Sequence, residues 1–324
     1  MENVKKSIFS VEALSNYIVV FAFALVVVIF SVTAENFLSL ENLYNVIANK
    51  VVLLAIVSLG MTIVIAAGGI DLSVGVSVDV SALVFFSFLA AGYSALFGIA
   101  GGLAAAFLVG LFNAILINKL KIDAFLATLG VLFIGSSVQR LATNGGTPIT
   151  LTTQEYSSIF RAISDSQFLG LPTPVWILVG CSIVVYLLLH KMVFGRFVAV
   201  LGAKPGVALY SGVRVPRELS KVFIYCSLLC GIAGILLSSQ VKSYIPLSGD
   251  AFLLDAIGAT FIGTAMTTDR RPTVIGTLMG VFLLAVMRNG LLLVGWNFFW
   301  QQVGIGVLVF VVLALSFGLR KREE

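Results

Sequence analysis

One short segment places polar groups inside an otherwise apolar part of the chain. Residues 68 to 75 read Gly-Gly-Ile-Asp-Leu-Ser-Val-Gly and include Gly68, Gly69, Asp71, Ser73 and Gly75. Paired glycines and an acid lower helix stability and disfavour membrane insertion, so we expect the helix to break here. Backbone that is not helical at membrane depth must be buried in protein or line a water-filled cavity. The segment is therefore a candidate for the translocation pathway or its gate.

Asp71 has two possible roles at this break. As a cap, its carboxylate would accept the amide of Ser73 or Val74 and complement the dipole of the helix that follows. As part of the pathway, it would contact the substrate directly. The sequence leaves both open.

Two more polar residues lie inside predicted helices. Asp79 could line a polar pathway, pair with Arg140, or carry a proton, because an acid within a membrane is a candidate functional group. Asn113 could hydrogen-bond a neutral solute or a neighbouring helix. We include both in the predicted pathway.

The chain has no pattern that indicates catalysis or metal binding. The ATP-binding motif GxxxxGK[ST] does not occur, and no nucleophile is found with a matching base. The 3 cysteines and 1 histidine are too far apart in the sequence to suggest a four-ligand zinc set. We expect no catalytic residues, no bound metal and no cofactor in this chain.

Composition places the protein in a membrane. Of the 324 residues, 59% are hydrophobic and 11% are charged, and the mean hydropathy is +1.09. Soluble domains have about 25% charged residues, so that class is excluded. The net charge is +5. We assign the basic residues to membrane topology rather than to nucleic acid.

Hydropathy predicts an all-α, polytopic transmembrane protein. A helix needs about 20 residues to cross the hydrocarbon, and we expect about ten spans in a single transmembrane domain, 1–324. The predicted spans are 15–34, 44–67, 75–91, 93–117, 124–142, 174–191, 220–239, 253–268, 273–290 and 298–318.

The distribution of basic residues sets the orientation. With the N-terminus in the cytoplasm, all but five of the 20 lysines and arginines lie inside. The five exceptions are Lys50, Arg140, Arg161, Lys242 and Arg288. The positive-inside rule therefore predicts that both termini are cytoplasmic. It places the long polar loop 143–172 outside and the basic segment 191–221 in the cytoplasm.

Several stretches of the sequence resemble one transporter family. The GGIDLSVG segment is similar to the hallmark of the ribose-type permeases, the membrane subunits of bacterial ABC importers for sugars and related solutes. KIDAFLATLG, GRFVAVLG with SGVRV, LLDAIGATFIGT and NGLLLVG resemble later parts of the same family. The resemblance covers nearly the whole chain.

This resemblance implies the partners and the coupling site. A second permease subunit, the same or different, would complete the pathway in the lipid membrane. Two cytosolic ABC ATPases would hold the ATP and magnesium, and a periplasmic or lipid-anchored solute-binding protein would face the loop 143–172. The segment that docks on the ATPase would include Gly195, Arg196, Gly202, Lys204, Ala208, Gly212 and Arg214.

The chain also departs from the family pattern. Asp79 occupies a position where small or apolar residues are typical, Lys204 replaces an asparagine, and Asp123 replaces a proline. These differences leave the identity of the solute open.

The leading hypothesis is a permease subunit of an ATP-binding-cassette importer in the bacterial inner membrane. It would move a monosaccharide or a similar small polar solute. One alternative is a branched-chain amino acid permease, which has a related layout. A second is a secondary transporter driven by protons or sodium through Asp71 and Asp79, because broken helices and acids within the membrane are common there.

Overall fold

The first half of the chain is built from long apolar helices. In this computed structural model the described residues are 11–151, 160, 162–163, 166–203, 205–210, 212, 214–267 and 269–320. The helices of this half are α1 (Val11–Thr33), α2 (Leu40–Ala66), α3 (Val74–Ala90), α4 (Ala95–Asn118) and α5 (Ala124–Ala142). Within α2, residues Val46–Val51 form a π-helical turn.

The second half continues the same pattern and adds two shorter helices. Its helices are α6 (Thr173–Lys191), α7 (Val193–Ala203), α8 (Pro205–Tyr210), α9 (Val215–Val241), α10 (Asp250–Thr264), α11 (Val274–Leu293) and α12 (Phe298–Arg320). The described strands have two residues each: β1 (Ile149–Thr150), β2 (Gln167–Phe168), β3 (Leu171–Pro172) and β4 (Ser243–Tyr244). They pair antiparallel as β1 with β4 and β2 with β3.

The chain is a polytopic helical membrane protein. Seven helices in the described part of the chain are long and apolar enough to cross a membrane: α2, α4, α5, α6, α9, α11 and the Phe298–Ser316 part of α12. The other three predicted spans coincide with helices whose described apolar part is shorter. They are α1, whose apolar part is Tyr17–Thr33, the 17-residue α3 and the 15-residue α10.

The helices group into two compact units. One contains the described residues of Met1–Val51 and Gly258–Glu324, and the other contains Val52–Ile257. In the first unit, α1 packs on α11 and α12. Asn289 on α11 accepts a hydrogen bond from the Lys50 ammonium at 2.8 Å and donates one to Asn42 at 3.0 Å.

The second unit has a core of four helices in close contact. Helix α9 packs on α2, α3 and α4, and α3 also packs on α4. Glycines permit this approach: a Cβ at Gly110 would lie 2.8 Å from the Ile224 Cα atom, and one at Gly234 would overlap the Val78 carbonyl. Small residues at helix contacts are typical of membrane bundles. The predicted pathway residues lie on helices of this core or in the break between α2 and α3.

The predicted external loop is attached to the second unit at two points. Its strand β1 pairs with β4, and its Phe160 ring is stacked on Phe85 with centroids 6.1 Å apart. Phe160 is 1% exposed. Residues 152–159 of this loop lie outside the described residues.

Candidate functional site

The predicted helix break forms between α2 and α3. Helix α2 ends at Ala66, and helical structure resumes at Val74. Gly68 has a φ angle of +83°, a conformation that is costly for residues with a Cβ atom. The glycine pair therefore lets the chain turn out of α2 before α3 begins.

Asp71 closes the turn that starts α3. Its side chain is 0% exposed, and Oδ1 accepts the Ser73 amide at 2.8 Å and the Ser73 hydroxyl at 2.6 Å. The bond from the Ser73 amide is the one that the sequence predicts. The N-cap position, however, belongs to Ser73, whose side chain makes no capping bond; its hydroxyl donates to Asp71 and accepts from Asn113 instead.

Two neighbouring helices fix the break. Asn113 on α4 donates from Nδ2 to the Ser73 hydroxyl at 2.7 Å. On α5, the Thr128 hydroxyl accepts the Leu72 amide at 3.1 Å. The structure thus brings together Asp71, Ser73 and Asn113 from the predicted pathway set.

Two oxygen atoms of this cluster remain without a hydrogen bond from nitrogen or oxygen. They are Oδ2 of Asp71 and Oδ1 of Asn113, and both are buried. The thiol of Cys226 on α9 lies beside the Asp71 carboxyl group. A thiol is only a weak donor, so the break keeps acceptor capacity that the described residues leave largely unused.

Gly75 and Asp79 face a different partner, the chain between α9 and α10. Oδ1 of Asp79 accepts the Gly249 amide at 2.8 Å and the Ser248 hydroxyl at 3.0 Å. A Cβ at Gly75 would lie 3.0 Å from the Gly249 carbonyl carbon. Asp79 is 0% exposed, whereas Arg140, one of its predicted partners, is an exposed residue. The carboxylate's hydrogen bonds thus come from Ser248 and Gly249.

Gln139 on α5 belongs to the same polar cluster, and it was not among the predicted site residues. Its Oε1 atom accepts both the Tyr244 hydroxyl and the Leu247 amide at 3.1 Å. The side chain is 0% exposed. Its signal in the sequence is a lone amide within an apolar helix, which does not reveal partners more than 100 residues away.

The predicted coupling residues divide into buried and exposed positions. Gly195 and Ala208 are buried: Gly195 packs on the Leu189 backbone, and Ala208 packs on Leu201. Arg196, Gly212 and Arg214 are exposed, and Lys204 lies outside the described residues. Only the exposed group can meet a partner without rearrangement.

Gly202 connects the coupling segment to the helix break. A Cβ at Gly68 would lie 3.2 Å from the Gly202 Cα atom, and a Cβ at Gly202 would overlap the Ala66 carbonyl. The end of α7 therefore lies directly against the end of α2. No side chain separates the two backbones at this contact.

The tip of the coupling segment presents apolar side chains to its surroundings. Tyr210 is 93% exposed and Leu209 is 64% exposed. Beside the segment is a groove of about 690 Å³, whose lining includes Arg214, Arg217 and Lys221. Tyrosine and arginine are both enriched in protein contact surfaces.

Comparisons with known proteins show the family of the chain. Residues 43–313 match the family described as branched-chain amino acid transport system / permease component. No solved structure matches the chain.

Three relatives are similar over most of their length. The ribose import permease proteins of Bacillus subtilis and Escherichia coli K12 are 32% and 30% identical, covering 90% and 91% of this chain and 89% and 91% of their own. The L-arabinose ABC transporter permease protein of Azospirillum brasilense is 29% identical over 94% of this chain and 88% of its own.

Proposed function

This chain belongs to the family of permease components of branched-chain amino acid transport systems, and we propose that it is the pathway-forming subunit of an ATP-driven importer for a monosaccharide or similar polar solute. The relatives' names support a sugar over an amino acid, since they name ribose and L-arabinose. The chain would lie in the bacterial inner membrane, with ATP and magnesium bound by a separate ATPase.

The contact between Gly202 and Gly68 carries the mechanism. Closure of the ATPases on ATP would push the coupling segment, and Gly202 would pass that movement to the break that holds Asp71. ATP shifts the equilibrium between two conformations because it binds one of them better. The exposed Tyr210 and Leu209 are the side chains that we assign to the ATPase contact, together with the exposed Arg196 and Arg214.

The complete membrane topology is part of this proposal. We propose about ten crossings with both termini in the cytoplasm, since the shorter helices α3 and α10 lie where spans are predicted. The loop 143–172 would then receive the solute-binding protein outside. A second permease subunit, identical or different, would supply the other wall of the pathway.

Uptake of radiolabelled ribose and arabinose into cells that express the whole transporter tests this function. Deleting residues 203–212 is expected to abolish uptake while the chain still inserts in the membrane, because the part of the coupling segment that would receive the ATPase movement is lost. Tyr210→Ala is the milder variant and is expected to weaken retention of the ATPase. Uptake that survives the deletion, or that collapses with the proton gradient while ATP is maintained, would favour the secondary transporter.

A further inference from the structure

The chain between α9 and α10 folds back alongside the helices instead of staying near their ends. Helices α3 and α9 run side by side in the same direction: Ser77 bonds to Ser227 at 3.2 Å, and Ser81 donates to Gly231 at 3.0 Å, each pair 150 residues apart. With the same offset of 150 residues, Asp79 on α3 lies at the same height along the helix pair as Leu229 on α9.

The depth of this return can be estimated from helix geometry. Helix α9 continues from Leu229 to Val241, a rise of about 18 Å at 1.5 Å per residue. Because Ser248 and Gly249 bond to Asp79, the chain comes back by about that distance before α10 begins. Residues 245–249 therefore form a re-entrant segment at the depth of the helix interiors.

Two side chains hold this re-entrant segment. Asp79 on α3 accepts Ser248 and Gly249 near its inner end. Gln139 on α5 accepts Leu247 and Tyr244. Four donors of the returning chain are thus satisfied by two acceptor atoms, each on a different helix.

Each holding side chain keeps one buried polar atom without a hydrogen-bond partner. These atoms are Oδ2 of Asp79 and Nε2 of Gln139. A Cβ at Gly249 would lie 3.0 Å from Oδ2, so this atom faces the segment. A buried polar group without a partner costs about 1–3 kcal/mol, and such a cost at two adjoining positions points to a ligand that is absent from this conformation.

We propose that residues 245–249 form a gate on the outer side of the pathway, and that the opened gate offers Asp79 and Gln139 to the hydroxyl groups of the solute. The solute part rests on the proposed function. A hydroxyl can donate to the Asp79 carboxylate as the Ser248 hydroxyl does, and it can accept from the Gln139 amide. The gate and a polyhydroxylated solute therefore compete for the same two side chains.

Thiol labelling tests the gate without any solute or ATPase. The reporter is Leu247→Cys, because the half-buried Leu247 side chain takes no part in the hydrogen bonds to Asp79 and Gln139. Right-side-out vesicles that contain the full chain are treated with a membrane-impermeant maleimide, and the labelling of wild type is subtracted. Adding Asp79→Ala or Gln139→Ala is expected to speed labelling about tenfold, because each change removes two hydrogen bonds to the returning chain, residues 244–249.

Ser77→Ala is the matched control, because Ser77 is a buried polar residue of α3 that bonds to α9 and not to the segment. It is expected to leave the labelling rate unchanged. Equal rates in all variants that remain folded by size-exclusion chromatography would overturn the gate. The same conclusion holds if the cysteine reacts only in inside-out vesicles.

Uptake specificity tests the solute contact. Ser248→Ala and Asp79→Asn both weaken the hydrogen bonding between Asp79 and the segment. Only Asp79→Asn alters a group that would touch the solute. We expect Asp79→Asn to change the ratio of ribose uptake to arabinose uptake by about threefold or more, the scale of a single altered hydrogen bond, and Ser248→Ala to keep it. The same ratio in both variants would overturn this part. Failure of the wild-type transporter to move any sugar would contradict the proposed function, while labelling would still decide the gate.

Discussion

Gly202 and Gly68 are in direct backbone contact, although 134 positions separate them in the chain: a Cβ at Gly68 would lie 3.2 Å from the Gly202 Cα atom. Gly202 lies in the last turn of α7, the helix that precedes the tip of the coupling segment. Gly68 lies at the start of the break that holds Asp71. This contact joins the predicted coupling segment to a buried polar cluster. Each glycine is required there because a side chain would separate the two backbones.

Filling this contact is expected to uncouple transport. In Gly202→Val the new side chain would overlap the Ala66 carbonyl, and overpacking of this kind costs about 1–3 kcal/mol. We expect uptake to fall at least about tenfold, the equivalent of about 1.4 kcal/mol within that range, while the ATPase still co-purifies. Gly180→Val on α6 is the matched control, since a Cβ there meets nothing within 4 Å and the residue lies outside the coupling segment. Equal uptake by the two variants would show that the contact transmits nothing.

Loss of the Asn113 amide is expected to loosen the break. Asn113→Leu removes the bond to Ser73, and a buried hydrogen bond contributes about 1 kcal/mol. We expect a lower melting temperature in mild detergent together with slower uptake. Asn118→Leu, on the same helix, removes a bond of similar length to Ser220. Because that bond is away from the break, its loss should spare uptake, and a comparable loss of uptake in both variants would contradict the assignment.

The polar group of the first unit is expected to respond unequally to two substitutions. Asn289→Leu leaves the Lys50 ammonium without the acceptor that it contacts at 2.8 Å, and bonds to charged groups contribute about 1.5–3 kcal/mol. Lys50→Met removes the charge together with the bond and should lower the melting temperature less. Asn49→Ala removes an exposed bond to Asn45 and serves as control. A larger effect for Lys50→Met than for Asn289→Leu would be contrary to this expectation.

The sequence predicted the helices well, because apolar runs of about 20 residues leave few alternatives in a membrane chain. Span 124–142 coincides with α5, and the break at Gly68 and Gly69 formed because two glycines and an acid interrupt the run. The bond from the Ser73 amide to Asp71 was also predictable, because such turns use residues two positions apart.

The rest depends on contacts that local sequence does not determine. Asp79 bonds to Ser248 169 positions later, and nothing in the run Ile245-Pro246-Leu247 indicates a return into the bundle. In the coupling segment, the small residues Gly195 and Ala208 were expected to face a partner. They are buried because α7 and α8 pack through them on their own neighbours.

Affinity purification of the tagged chain in mild detergent, with mass spectrometry of its partners, tests the central claim most directly. We expect an ATPase with intact ATP-binding motifs to be recovered, and its amount to fall in Tyr210→Ala but not in Gly180→Val. Recovery of the chain alone in several detergents, from cells that take up the solute with a proton gradient as the only energy source, would contradict an ATP-driven importer.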